Sequence, residues 1–168
     1  AGNVIGGGDW AEDRLIPDIL KKFTNKETLF IRNKNATRPW QHVLEPLSGY
    51  LILAQNLFKN PEIFSGGYNF GPLDSDVKNV EWIVNKMSQF FPDSKWKIDD
   101  SKNPHEANFL KLDIKKADKM LDWSPTWNIN IALNNIIDWH NAFNNNEDML
   151  AHSCEEIAKY MSDSMQKN

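Results

Sequence analysis

Every extended stretch in this sequence is short and every long apolar pattern is helical, which limits the folds open to it. Asn3-Val4-Ile5 reads as a strand end running into the turn Gly6-Gly7-Gly8. Leu29-Phe30-Ile31 and Trp40 to Val43 read as two more short strands, and Gly66 to Pro72 as another closed by a turn. Lys95 to Ile98 and Phe109 to Ile114 alternate polar and apolar as exposed strands do. The longer segments have helical spacing. Leu15, Ile16, Ile19, Leu20 and Phe23 form one stripe over 14–25, with Pro17 in the first turn. Leu47, Leu51, Leu53, Ala54, Leu57 and Phe58 form a second, which begins near Glu45 and stops at Asn60-Pro61. Helices over 77–91, 114–121 and 129–143 follow, then a last one from Glu147 to about Met165 with a polar end expected to fray. The fold class implied is mixed α/β, helices with short strands, forming a layer that covers or extends something larger.

The chain has 168 residues, 40% of them hydrophobic, enough for one ordinary core. Residues 1–143 are read as one domain and 144–168 as a terminal helix or frayed tail. The net charge of −4 excludes a broad nucleic-acid footprint but allows a small anionic ligand held by a few arginines. The single cysteine, Cys154, rules out an internal disulfide and suits a reducing cytoplasm, the expected location. It is read as a packing residue or a surface thiol. No apolar run reaches the roughly 18 residues a membrane span needs. An opening at Ala1 with neither leader nor initiating Met reads as a cut from a longer chain. The seven tryptophans are expected to pack in the core or at its rim.

Several clusters carry potential chemistry. Gly6-Gly7-Gly8 matches neither the dinucleotide pattern G-x-G-x-x-G nor a P-loop, so a tight turn is the simpler reading. Arg38-Pro39-Trp40-Gln41-His42-Val43 places a cation, an indole and an imidazole in a short span. Arginine can grip two phosphate oxygens and an aromatic can stack on a base or sugar; the alternative is a surface arginine and a core tryptophan. In Pro104-His105-Glu106 adjacent side chains point opposite ways on an extended chain, so one-sided ligand contact is favoured over a catalytic pair. His42, His105, His140 and His152 show no metal spacing, and His140 and His152 are expected on helix surfaces. Neither a G-x-S-x-G elbow nor a Cys-His pairing is present.

Beyond these clusters, an ordered series of motifs resembles CDP-glucose 4,6-dehydratases. It comprises Gly2-Asn3-Val4-Ile5-Gly6-Gly7-Gly8-Asp9-Trp10, Arg14-Leu15-Ile16-Pro17-Asp18, and the run from Arg38 through His42 and Glu45 to Tyr50. Tyr68-Asn69-Phe70-Gly71-Pro72, His105-Glu106-Ala107, Leu110-Lys111-Leu112-Asp113 and Leu121-Asp122-Trp123-Ser124-Pro125-Thr126-Trp127 continue it. The wider group is the extended short-chain dehydrogenase/reductase (SDR) superfamily of nucleotide-sugar enzymes. The resemblance covers about residues 1–140; the tail after Asn144 carries no matching motif.

The resemblance implies the carboxyl-terminal, substrate-binding portion of an extended SDR fold, with the Rossmann core missing. In such enzymes the amino-terminal Rossmann domain holds NAD and a Tyr-x-x-x-Lys pair. Here Tyr50, Tyr68 and Tyr160 are followed four positions later by Ala54, Pro72 and Ser164. No catalytic, cofactor-binding or metal residue is therefore assigned, and NAD is expected only in the intact family enzyme. The family reaction converts CDP-glucose to CDP-4-dehydro-6-deoxyglucose and water, and the chain alone is expected to be inactive. The substrate-binding residues implied are Asn3 and Arg38 at the diphosphate, Leu15, Ile16 and Pro17 over the base, Trp40, Asn69 beside the nucleotide, and His105, where relatives often place an arginine. The expected partners are CDP-glucose or a similar nucleotide sugar and the missing Rossmann portion, in a homo-oligomeric intact enzyme, with no nucleic acid and no membrane. A non-catalytic CDP-sugar-binding module or half-protein complementing a separate NAD-binding chain remains an alternative. So does another nucleotide-sugar epimerase or dehydratase.

Overall fold

A computed structural model describes residues 1–99 and 108–167. The chain runs through β1 (Asn3–Ile5), α1 (Leu15–Thr24), β2 (Thr28–Ile31), β3 (Thr37–Arg38), β4 (Trp40–His42), α2 (Leu44–Lys59) and α3 (Pro61–Phe64). A 3-10 turn (Asp74–Asp76) precedes β5 (Lys78–Asn79), α4 (Val80–Ser88), β6 (Lys95–Ile98), α5 (Lys115–Leu121), α6 (Ile129–Asn144) and α7 (Met149–Lys167). Among the described residues the strands form three separate pairs. β1 lies parallel to β4 with Asn3 opposite Trp40, β2 parallel to β6, and β3 antiparallel to β5 with Thr37 opposite Asn79. No helix among the described residues is long and apolar enough to cross a membrane.

The apolar stripe of α1 sets the core. Ile16, Ile19, Leu20 and Phe23 are buried against Leu29 and Ile31 of β2, Ile83, Val84 and Met87 of α4, and Leu133, Ile136 and Ile137 of α6. A smaller cluster of Phe70, Ala117, Leu121 and Trp123 packs under α2. Each fully buried Leu or Ile contributes about 1.5–3 kcal/mol, so the main cluster carries most of the folding drive.

Several sequence expectations change in three dimensions. The helix expected over 77–91 begins only at Val80, because the Asn79 side chain caps it by accepting from the Trp82 N–H at 2.8 Å. Gly66 to Pro72 forms no strand ladder; the Phe70 carbonyl instead accepts from the Gly2 N–H and the Gln41 Nε2. Phe109 contributes one bridge to Thr37 rather than a strand. On α2 the apolar stripe is not the buried face: Glu45, Pro46 and Gly49 are buried, whereas Leu51 is 73% and Phe58 91% exposed. Among the described residues this helix packs mainly on β4, α5 and α3. His140, expected at a helix surface, is buried on α6, with Nε2 2.9 Å from Thr24 Oγ1. The triple glycine is a packing turn: a Cβ at Gly7 would overlap the Trp139 ring, and Gly8 has φ +73°.

Glu45 ties the layers together. Its carboxylate is wholly buried and accepts from the Thr126 N–H (2.9 Å), the Trp127 N–H (2.7 Å) and the Tyr160 hydroxyl (2.8 Å). Burial pushes the Glu45 carboxyl above the usual carboxylate range, while those three donors pull it back. Burial and the Glu45 charge push the Tyr160 hydroxyl upward in turn. The Trp123 indole N–H donates to Ser48 Oγ, itself 3.0 Å from the Tyr160 hydroxyl.

Glu45→Ala leaves three buried donors unpaired, each costing roughly 1–3 kcal/mol. Urea unfolding should show a loss of about 3 kcal/mol or more, and a smaller loss for Glu45→Gln. A deficit below about 1 kcal/mol in the alanine variant would remove Glu45 from this role.

Candidate functional site: an arginine-lined cavity between α1, β1 and β2

The start of α1, strands β1 and β2 and the β3–β4 segment enclose a cavity of about 580 Å³. That is within the range of small-ligand sites, roughly 300–1,000 Å³. Asn3 enters through β1, fixed by its own N–H donating to the Pro39 carbonyl at 2.8 Å. Leu15, Ile16 and Pro17 form the wall at the amino end of α1, where the flanking Arg14 makes no side-chain cap. Leu29 to Arg32 add the end of β2, and Arg38 stands opposite with Nη1 donating to the Thr37 carbonyl at 3.0 Å.

The structure thus brings Asn3, Leu15, Ile16, Pro17, Arg38 and Trp40 to one cavity. Trp40 is there as a core residue: it is 6% exposed and its indole N–H donates to the Lys78 carbonyl at 3.0 Å. Asn69 is not among the lining residues; its side chain donates to the Asp113 carbonyl at 3.2 Å. His105 lies outside the described residues.

Two further cations line the same wall, and the sequence reading did not assign them. Arg14 pairs with Asp9 at 3.3 Å, and Arg32 lies 4.0 Å from Asp13. Their clue in the sequence is position, since Arg14 directly precedes α1 and Arg32 directly follows β2. Asp13 has φ +59°, a left-handed turn that returns the chain toward the helix start. Asp18, in the first turn of α1, is pushed above the usual carboxylate range, first by burial and then by Asp13. A cavity with three guanidiniums can hold an anionic ligand through charge-assisted hydrogen bonds. The three carboxylates of Asp9, Asp13 and Asp18 keep it near neutral when empty.

The Gly6–Gly8 turn is not an open phosphate cradle. A phosphate cradle needs open backbone N–H groups at a glycine turn. Here Trp139 lies against Gly7 and Gly8, and Val43 against Gly6.

No family model matches the chain. It is 54% identical over 163 residues to the CDP-glucose 4,6-dehydratase of Salmonella typhimurium, covering 96% of this chain and 45% of that protein. It is 24% identical over 152 residues to a UDP-glucose 4-epimerase of Mycoplasma pneumoniae, again covering 45% of that protein. The chain therefore spans about half the length of the curated relatives it matches. Among solved structures it superposes on a UDP-glucuronic acid 4-epimerase from Bacillus cereus in complex with UDP-glucuronic acid and NAD. There the TM-score is 0.71 at 18% identity, over 84% of this chain and 44% of the other. A dTDP-glucose 4,6-dehydratase from Bacillus anthracis in complex with NAD gives 0.66 at 16% identity, over 83% and 42%. At these identities the structural likeness establishes the fold.

Beside the cavity, burial alone pushes the His140 imidazole below its ordinary value of 6.5. The folded state then favours the neutral ring. Its stabilising share is complete above the unfolded pKa and is lost as pH falls through the lower folded one. Urea unfolding between about pH 7.5 and 5.5 should show a steeper loss in the parent chain than in His140→Gln; equal slopes would contradict this.

Over 96% of its length this chain is similar, at 54% identity, to part of a CDP-glucose 4,6-dehydratase, and its fold is that of the carboxyl-terminal portion of extended SDR enzymes.

Proposed function

We propose that this chain forms the sugar-nucleotide-binding wall of a CDP-glucose 4,6-dehydratase. In that reading, NAD and the groups that move hydride and protons come from polypeptide outside this sequence. The observation that carries it is the convergence of Asn3, Leu15, Ile16, Pro17 and Arg38, from three separate segments, on one cavity that also holds Arg14 and Arg32. A diphosphate carries negative charge that guanidiniums accept bidentately, and the apolar edge of α1 offers a face for a base. Trp40 supports the wall from behind, and Asn69 borders the ligand only if its bond to Asp113 is exchanged. The family relation favours CDP-glucose over other sugar nucleotides as the ligand.

The work divides between binding and chemistry. Residues on this chain bind and orient the diphosphate and screen it from water. Tyr160, the most deeply buried tyrosine, is committed to Glu45 and Ser48 and has no part in proton transfer to a ligand.

The test is calorimetric titration of the full polypeptide with CDP-glucose and, separately, with NAD. A charge-assisted contact is worth about 1.5–3 kcal/mol, so Arg38→Ala should weaken CDP-glucose binding by roughly tenfold to a hundredfold. Arg32→Ala should weaken it by a smaller factor, and NAD binding should be unchanged in both. Unaltered CDP-glucose affinity in Arg38→Ala would refute the assignment.

A further inference from the structure

Most acceptors on the wall of the arginine-lined cavity already have partners. Asp9 is committed on both oxygens: Oδ1 accepts from the Ala11 N–H at 3.1 Å and Oδ2 from Arg14 at 3.3 Å. Asn33 is committed too, its Nδ2 donating to Asn108 Oδ1 at 2.9 Å and its Oδ1 accepting from the Asn35 N–H at 3.2 Å. The Asp13 side chain stands 89% exposed beside Arg32. Asp18 differs. Its backbone N–H donates to the Arg14 carbonyl at 3.0 Å, but its carboxylate accepts no hydrogen bond and joins no direct ion pair among the described residues.

Leu15 and Asp18 are three residues apart in α1, so they share one helix face, and both line the cavity. Burial is the largest influence on the Asp18 carboxyl and pushes it up; Lys21, Arg32 and Lys22 pull it down without bonding to it. A half-buried carboxylate with no donor is costly, and a ligand that brings a donor removes that cost. The donor belongs to the base end of a sugar nucleotide. Asp18 directly follows Leu15-Ile16-Pro17, the apolar edge that offers a face for a base, and a diphosphate at the same place would be repelled by the carboxylate.

We propose that Asp18 selects the base, its carboxylate accepting a hydrogen bond from the exocyclic amine of cytosine. This rests on the sugar-nucleotide reading of the cavity and adds a specificity residue to it. Cytosine presents an N4 amine where uracil and thymine present the O4 carbonyl oxygen, and acidic side chains accept from that amine. Opposite O4 the same carboxylate would face lone pairs, leaving two acceptors together with no proton between them. Leu15, Ile16 and Pro17 cannot make this distinction, because they meet the face of the ring and not its edge. The guanidiniums cannot make it either, because the diphosphate they hold is common to all these ligands.

The test is calorimetric titration of the full polypeptide, and of its Asp18→Asn and Asp18→Ala variants, with CDP-glucose and with UDP-glucose. The parent should bind CDP-glucose more tightly than UDP-glucose by about tenfold or more. An asparagine amide offers an N–H to O4 as readily as its carbonyl accepts from N4, so Asp18→Asn should bring the two affinities within about threefold of each other. Asp18→Ala should weaken CDP-glucose binding by about tenfold and leave UDP-glucose binding unchanged or tighter. A purely structural role would weaken both ligands alike, so equal losses overturn the proposal. A parent without preference, or a preference that both variants keep, overturns it as well. In each of those outcomes a loss of CDP-glucose affinity in Arg38→Ala still supports the sugar-nucleotide reading of the cavity, whereas a parent that binds no CDP-glucose removes both.

Discussion

A buried carboxylate organises this protein. Glu45 sits at the start of α2, where no solvent reaches it, and is tolerated only because three donors from two other segments converge on it. Two are consecutive backbone N–H groups at Thr126 and Trp127; the third is the hydroxyl of Tyr160 on α7. Apolar contacts alone would let α2, the Trp123–Trp127 loop and α7 slide on one another. Directional bonds to a desolvated charge fix their register. Around the hub, Trp127 stands edge-on to both Tyr160 and His42, at 4.9 and 5.0 Å between ring centres.

That register reaches the cavity through β4. His42 ends β4 and lies against Glu156 of α7, and β4 pairs residue for residue with β1, which carries Asn3. Arg38 and Trp40 belong to the same run of chain. The tail that carried no recognisable motif is therefore mechanically connected to the segment bearing the arginine. The glycine turn after β1 plays a matching part. Its missing side chains let Trp139 of α6 close over the backbone and hold the loop leading to Arg14 and α1.

Much of this was legible along the chain. The helical stripes at 15–23 and 129–143 located the helices and the residues that became the core. The motif series selected Asn3, Leu15, Ile16, Pro17 and Arg38, which share one cavity. Arg14 and Arg32 went unassigned because a lone arginine has no periodic signature; only the endings of neighbouring elements reveal that two of them face one space. Asn69 was selected by its motif, but whether its amide meets the cavity or a neighbouring carbonyl is a matter of side-chain rotation. The exposed stripe of α2 and the buried ring of His140 misled for one reason: periodicity shows that a helix has two faces, not which face is covered.

The sequence by itself determined the order and kind of the elements, the relation to the dehydratases, and the arginine and asparagine committed to one wall. The first follows from local spacing and residue chemistry, which act between near neighbours in the chain; the other two rest on the resemblance carried by the motif series. The tertiary structure decided that Glu45 is a buried hub, that Gly7 and Gly8 make room for an indole, and that α7 docks through polar side chains with its apolar strip outward. Each of these depends on groups tens of residues apart sharing the same few ångströms, where desolvation rather than local propensity sets the energy.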